Sequence, residues 1–470
     1  MTNNNVQNPY FLLPLHFDPA KYYGPMQTVS QVLEAISGTY PAAVELSGLP
    51  GIGKTTIMRY LAHPEGAIKK HPDKLQENFR EDPDRLFPVL VEFKHLPTTV
   101  HPFSYIHNRF HAAYSEFKER TGKPLPGLRP GFENHADNGD GIDKMEQELY
   151  ELSRGRIRPV FMMDDFDLAF ERLTLAETTR LRPLRAFVSF VLGTERPLNI
   201  VNPEAAGSPF FSTLMVVRVT GLSSEETHNL LTKPAIDHKK KLPDKEVEFV
   251  AGLTGNHPYL LILAGKHLWE LREQLGILDS SGTWLTDQQL NLLQGRLKVA
   301  FSAFFRLYLE RLTSEELAVL KRISVSKEAT IRSEEYFYLA ALIGRAVVIS
   351  DKPNQYKPFS PLFKEFLLSE GKGEVEEVEK VEEHFGGLEA KLYEYLRQNT
   401  ERICTFPELS EEVWGVPYQE EDKDMRRRIQ VTVSRIRSKL KESPTHSGEA
   451  ILSMRDRGYK LVLPSNHSEL

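Results

Sequence analysis

The clearest chemistry in the chain lies in eight consecutive residues, Gly48-Leu49-Pro50-Gly51-Ile52-Gly53-Lys54-Thr55, which complete a GxxxxGK[ST] spacing. Glycines let backbone N–H groups converge on phosphate oxygens, and a helix opening near Thr56 adds the partial positive charge of its N-terminus. Lys54 can reach the β- and γ-phosphates of a nucleotide, and the Thr55 hydroxyl can ligate Mg²⁺. The expected contacts to ATP or ADP are therefore Gly48, Pro50, Gly51, Ile52, Gly53, Lys54, Thr55 and Thr56. Such a loop needs a carboxylate at the end of a second apolar strand, and Val160-Phe161-Met162-Met163-Asp164-Asp165 supplies it. Asp164 is expected in the Mg²⁺ shell with Thr55, and Asp165, or else Asp167, is expected to orient or deprotonate the attacking water. Thr194-Glu195-Arg196 follows a further apolar run, where Thr194 and Arg196 could sense the γ-phosphate; the same residues also read as a solvent turn before Pro197.

A different chemistry sits near the other end. Between Met425 and Lys460 ten Lys/Arg face three carboxylates, a net of +7 in 36 residues, whereas residues 388–424 carry −6. A local basic patch of this kind suits a surface that meets phosphates. Ile429, Val433, Ile436 and Leu440 recur at i, i+4, i+7 and i+11, one buried helical stripe, with Arg428, Arg435, Ser438 and Lys439 largely off it. Ala450–Met454 and Tyr459–Val462 flank the turn Arg455-Asp456-Arg457-Gly458, a hairpin with two arginines at its tip. A helix that can enter a major groove beside a basic hairpin is the outline of a winged helix-turn-helix, and double-stranded DNA is the implied partner. A solvated basic helix is the plainer account.

The elements that must hold these residues can be read from the apolar runs. Ala42–Leu46, Phe87–Phe93, Val160–Met163, Phe187–Leu192 and Leu214–Val219 are short and near-continuous, as strands covered by helices on both faces should be. After Gly221 the pattern turns helical to about Leu275. A second helical block follows, with apolar residues at helical spacing from Leu297 to Leu320, and closes on a hairpin of Val347–Ile349 and Tyr356–Phe359. Thr121–Asp143 reads as a polar surface insertion, and Gly371–His384 as a charged linker or short helix with Val375, Val378 and Val381 in register. Gly255-Asn256-His257-Pro258 precedes an apolar helix, where proline needs no functional reason.

The 470 residues correspond to about three domains at roughly 150 residues each. Lys+Arg 59 against Asp+Glu 65 gives −6, so no global basic excess advertises nucleic acid. The lone Cys404 excludes an internal disulfide framework and a Cys-rich zinc site. The apolar run Tyr10–Leu15 is interrupted by Pro14 and suits neither a signal peptide nor a membrane span, so a cytoplasmic protein without a membrane partner is expected. No repeat of 20–50 residues is visible.

Two resemblances follow from these residues. From about Asn8 to Phe366 the order of parts resembles the STAND class of signal-transducing ATPases, relatives of AAA+ and NLR-type proteins. The matching residues are the phosphate loop, Met163-Asp164-Asp165, Ser208-Pro209-Phe210-Phe211, Gly221-Leu222-Ser223, Gly255-Asn256-His257-Pro258-Tyr259 and Phe359-Ser360-Pro361-Leu362-Phe363. The resemblance implies that Pro258, and less directly His257, lies near the adenine; where the family often has Gly-Arg before its first helix, this chain has Gly24-Pro25. Over about Leu388–Pro464 the chain resembles the OmpR/PhoB effector domain through Leu392-Tyr393-Glu394-Tyr395-Leu396, Phe406-Pro407-Glu408-Leu409, Val413-Trp414-Gly415, Val433–Leu440 and Arg457-Gly458-Tyr459-Lys460. That resemblance implies DNA contacts at Arg427, Thr432, Ser434, Arg435 and Arg437 in the helix and at Ser453 and Arg455 in the wing; Arg428 and Arg457 join them as part of the basic surface. Asp456 stands where the family usually has glycine.

The expected fold is multidomain α/β: a P-loop parallel-sheet ATPase core (1–222), a helical lid (223–285), a winged helix (286–370), a charged linker (371–386), a C-terminal winged helix-turn-helix (387–464) and a tail (465–470). Three functions fit. The first is a slowly hydrolysing, nucleotide-switched DNA-binding regulator that self-associates on ATP binding. The second is a DNA-loading, transposition or replication-initiator-like ATPase. The third is a defence-type sensor that oligomerises on a protein trigger and uses its last module for protein contact.

Overall fold

The computed structural model describes residues 8–10, 17–122, 141–196, 198–278, 282–325, 331–352, 355–369, 387–400, 402–414, 416, 418, 423–442, 450–454 and 457–462. The chain forms two compact units, Met1–Leu367 and Leu368–Leu470.

The first unit is built on five strands: β1 (Ala43–Ser47), β2 (Leu86–Glu92), β3 (Arg158–Asp164), β4 (Ser189–Thr194) and β5 (Met215–Arg218). They pair in the order β2-β3-β4-β1-β5, every neighbour parallel. Each expected run forms its strand, with ends moved by one or two residues. The near-continuous apolar runs are explained by cores on both faces. Val44, Leu46, Val160 and Met162 enter one apolar cluster, while Ala43, Phe161, Met163, Phe190 and Leu192 enter the other, the alternation that a pleated strand imposes. β5 is an edge strand and leaves Met215 and Val216 exposed. Because all five strands run the same way, their C-terminal ends share one rim; Ser47 lies beside Thr194, and Asp164 ends β3 beside Glu92. A parallel sheet places ligands at that rim.

The region after Gly221 is helical. Helices Ser224–Asp237, Asp244–Thr254 and Pro258–Gln274 follow one another, the first capped by a reciprocal Ser223–Glu226 box and the third opened by Pro258 at its first position. A fully buried ion pair joins the second and third: Arg272 donates two bonds to Glu246 at 2.8 and 2.9 Å, and the Leu285 amide adds a third at 2.9 Å. The apolar stretch Leu297–Leu320 is shared between two helices, Asp287–Leu309 and Ser314–Val325. Thr313 and Glu316 cap each other's backbone at the break, which starts the second helix afresh. Helix Tyr336–Gly344 and the antiparallel pair β6 (Val348–Lys352) and β7 (Gln355–Pro358) follow, and then a helical stretch at 361–369.

In the second unit, helices Gly387–Gln398 and Lys423–Glu442 pack around a three-stranded sheet of β8 (Cys404–Thr405), β9 (Ala450–Met454) and β10 (Gly458–Val462), in the order β8-β10-β9. Gly458 lets β8 approach: a Cβ there would meet the Cys404 carbonyl oxygen at 1.9 Å. No helix among the described residues is long and apolar enough to cross a membrane. The expected linker at 371–386 and the tail at 465–470 lie outside the described residues, as do Arg455 and Asp456.

Candidate functional site

The loop between β1 and helix Lys54–Ala62 is shaped by its glycines. Gly51 and Gly53 hold φ of 70° and 104°, and a side chain at Gly48 would meet the Val219 carbonyl oxygen at 2.6 Å. The first N–H groups of the helix then face the rim of the sheet, where an anion is favoured. Lys54 is buried, and its Nζ donates to the carbonyls of Gly48 at 2.7 Å and Leu49 at 3.0 Å, so the ammonium is held inside its own loop. Burial pushes its pKa down to about 8, against the pull of Asp164, Asp167 and Asp165 and with Arg311 adding to the depression. Ile52 is buried, and Thr56 is exposed on the first turn.

Asp164 is also buried. Desolvation raises its carboxyl to about 6, with Asp165 adding repulsion, while the neighbouring Thr55 hydroxyl and Lys54 oppose the rise. Its Oδ2 is buried and finds no hydrogen-bond partner among the described residues. A hydroxyl beside a buried carboxylate with a free oxygen is an oxygen donor set that fits Mg²⁺. Asp165 takes a left-handed conformation, φ 53° and ψ 41°, and starts the short helix Phe166–Phe170. That turn also brings Asp167 back toward the site: burial raises its carboxyl, the Arg196 guanidinium at 3.5 Å opposes the rise, and its Oδ1 is buried without a partner among the described residues. Gly193 keeps β4 close to Asp164, since a Cβ there would lie 3.1 Å from Asp164 Oδ1.

Thr194 and Arg196 come to the same rim, each with a partner. The Thr194 hydroxyl donates to Glu45 at 2.8 Å, both residues buried, and Arg196 bridges Asp167 and Glu171. Glu45 is hidden from sequence reasoning because it sits inside an apolar strand.

Two further residues belong to the site: His257, which the STAND resemblance places near the nucleotide, and Arg311, which the sequence does not single out. His257 is fully buried and its Nε2–H donates to the Pro50 carbonyl at 3.1 Å; burial pushes the imidazole down to about 3, so it is neutral. The polar contact with the phosphate loop is thus made by His257, one residue before Pro258. A side chain on Gly51 would meet Tyr259 Cβ at 2.9 Å and His257 Cε1 at 3.3 Å. The His257 ring lies 5.4 Å from Phe304 and 5.5 Å from Phe359, and Tyr259 stacks on Phe304, so this contact leads from the loop into the later helices. Arg311, paired with Glu195, is close enough to depress Lys54. Its only sequence signal is a position just past a helix end.

In the second unit, helix Lys423–Glu442 buries Met425, Ile429, Val433, Ile436 and Leu440. Arg427, Arg428, Ser434 and Arg435 are exposed on the opposite face, with Thr432 half-buried and bonded to the Arg428 carbonyl at 2.9 Å. Arg435 is 68% exposed and lies 3.8 Å from Glu389. Arg437 stands apart from this set. It donates to the Ile451 carbonyl at 2.7 and 2.9 Å and to the Ser453 hydroxyl at 2.9 Å, with its guanidinium 5.7 Å from the Tyr459 ring. These bonds anchor the hairpin on the helix, beside the DNA contact that the resemblance implies for Arg437. Ser453 is exposed while bonded to Arg437, and Arg457 is exposed at the hairpin turn.

No curated protein matches the chain. Among solved structures, the Walker-type ATPase paby2304 of Pyrococcus abyssi is similar over 77% of this chain and 99% of its own, with 13% identity and a TM-score of 0.51, a likeness of fold. The ORC2 protein of Aeropyrum pernix in its ADPNP–ADP complexes matches 74% of this chain and 93% of its own at 13% identity, with a TM-score of 0.44. Residues 382–461 match the family described as "Transcriptional regulatory protein, C terminal". The chain thus joins an α/β core with the fold of a P-loop ATPase to a C-terminal transcriptional regulatory domain of OmpR/PhoB type.

Proposed function

We propose that the protein is an ATP-binding, slowly hydrolysing switch of the STAND type that acts on DNA through its C-terminal winged helix, a nucleotide-controlled transcriptional regulator. The observation that carries this reading is the convergence of Lys54, Thr55, Asp164 and Asp167 on one rim, in the same chain as a helix with an exposed basic face. In this reading the domain limits are those expected from the sequence: core 1–222, lid 223–285, winged helix 286–370, linker 371–386 and DNA-binding domain 387–464.

The backbone N–H groups of the loop cradle the phosphates, and Lys54 leaves the Gly48 and Leu49 carbonyls for the phosphate oxygens, which keep it protonated. Thr55 and Asp164 hold Mg²⁺, whose charge offsets that of the phosphates. Asp165 or Asp167 accepts the proton of the attacking water, and Arg196 and Thr194 respond to the γ-phosphate. The contact of His257 with Pro50 reports loop occupancy to the helices that follow, and self-association on ATP binding, with a protein trigger, completes the switch. Arg427, Arg428, Thr432, Ser434 and Arg435 face DNA, with Arg457 and Arg455 in the wing.

The test is light scattering of the full chain after size exclusion, with and without ATP·Mg²⁺ and duplex DNA. The proposal expects nucleotide-dependent assembly and salt-sensitive DNA binding. Lys54→Ala is expected to weaken ATP by about 1.5–3 kcal/mol, the value of a charge-assisted hydrogen bond, in calorimetry. Unchanged ATP affinity in that variant would remove the site assignment, and absent DNA binding would remove the regulator.

A further inference from the structure

The two helices between β2 and β3, Pro102–Thr121 and Gly141–Arg154, hold a cluster that the nucleotide site does not use. His107 and His111 stand one turn apart, so both rings leave the first helix on the same face. Glu148 meets them from the second helix. His107 Nε2 lies 3.0 Å from one Glu148 oxygen, His111 Nε2 lies 3.1 Å from both, and the two Nε2 atoms are 3.1 Å apart. The rings meet edge to face at 4.5 Å, and Phe110 packs edge-on against His111. His107 is buried, and His111 and Glu148 keep 15% of their side-chain surface open.

Three Lewis-basic atoms therefore converge on one point. Neutral imidazoles facing each other Nε2 to Nε2 can share only one proton between them, so hydrogen bonding alone leaves this geometry underused. A tetrahedral ion with bonds of about 2.0–2.1 Å spaces its ligand atoms roughly 3.3 Å apart, close to the separations found here. Two imidazoles and a carboxylate suit zinc, whereas Mg²⁺ and Ca²⁺ prefer oxygen alone, which separates this cluster from Thr55 and Asp164.

We infer that His107, His111 and Glu148 form a Zn²⁺ site, with water in the fourth position, that clasps the helix following β2 to the helix preceding β3. The role is mechanical. It fixes the helical hairpin packed outside the two strands that carry Glu92 and Asp164.

The experiment uses the full-length protein without nucleotide. After growth with zinc and exhaustive dialysis, elemental analysis should find one Zn²⁺ per chain, and Co²⁺ added to stripped protein should give the visible bands of a tetrahedral site. His111→Gln and Glu148→Gln should each lower Zn²⁺ affinity by about tenfold or more, while their ATP affinity stays at the wild-type value and shows that they fold. Stripped wild-type protein should also gain melting temperature with Zn²⁺ and not with Mg²⁺, a readout that needs no variant. Absence of retained zinc together with no thermal shift would overturn the site. So would equal zinc affinity in wild type and both variants, which would place the ion on other histidines.

Discussion

Asp164 carries opposed demands: burial favours its neutral form, and holding a cation requires the charged one. Its carboxyl sits at about 6 in the fold against 3.8 when free. The folded state therefore holds the proton more tightly, and stability from this group is full below the free value and is lost as pH rises through 6. In the absence of nucleotide, Asp164→Asn should raise the melting temperature at pH 8, by a free energy on the order of 2 kcal/mol, and lose that advantage near pH 4. The same variant should weaken Mg²⁺-dependent ATP binding. In the wild type, that metal-dependent part should fall about tenfold from pH 7 to pH 5 as the carboxyl takes up its proton. Calorimetry across pH on both proteins checks the pair. Asp165→Asn and Asp167→Asn divide the next step: the one that keeps ATP binding and stops turnover carries the base.

Elements decide what these residues can reach. The loop glycines are needed for more than phosphate: Gly51 at φ 70° leaves room for Tyr259 and His257 at the start of helix Pro258–Gln274. Gly51→Ala adds both backbone strain and a clash, so it should destabilise the protein by about 1–3 kcal/mol and separate the loop from that helix. Thermal melts and quenching of a fluorescent nucleotide would show it. The loop, the Asp164 strand and the basic helix were legible in the sequence because each is a local pattern of glycine, apolar run or helical stripe. The sheet order was not, because strand neighbours are chosen by crossovers and packing that no single run records. Glu45, Arg311 and the bond that His257 makes were hidden for a related reason. Their partners Thr194, Glu195 and Pro50 lie 149, 116 and 207 residues away. The cluster of His107, His111 and Glu148 is split in the same way by the segment 123–140.

At the scale of the whole molecule, the basic helix separates two kinds of arginine. Arg435→Ala should relax discrimination at one base position, costing roughly 1–3 kcal/mol there, because its exposed guanidinium suits a guanine edge. Arg437→Ala should lower the melting temperature of the second unit and weaken all DNA sequences alike, since its bonds hold the hairpin. Binding to a random duplex pool at two salt concentrations distinguishes them. The second unit is compact in its own right, and this has a consequence for control. The 17 residues 370–386 preceding its first described helix can span at most about 60 Å when fully extended. Two chains joined through their ATPase cores would confine two basic helices to a small shared volume, while half-sites one helical turn apart lie only about 34 Å from each other. Engagement of the first half-site then makes the second effectively unimolecular, and avidity of about a hundredfold or more follows from tethering alone. On the proposed function, nucleotide sets promoter occupancy through local concentration, without any change of shape passing from the phosphate loop to the DNA.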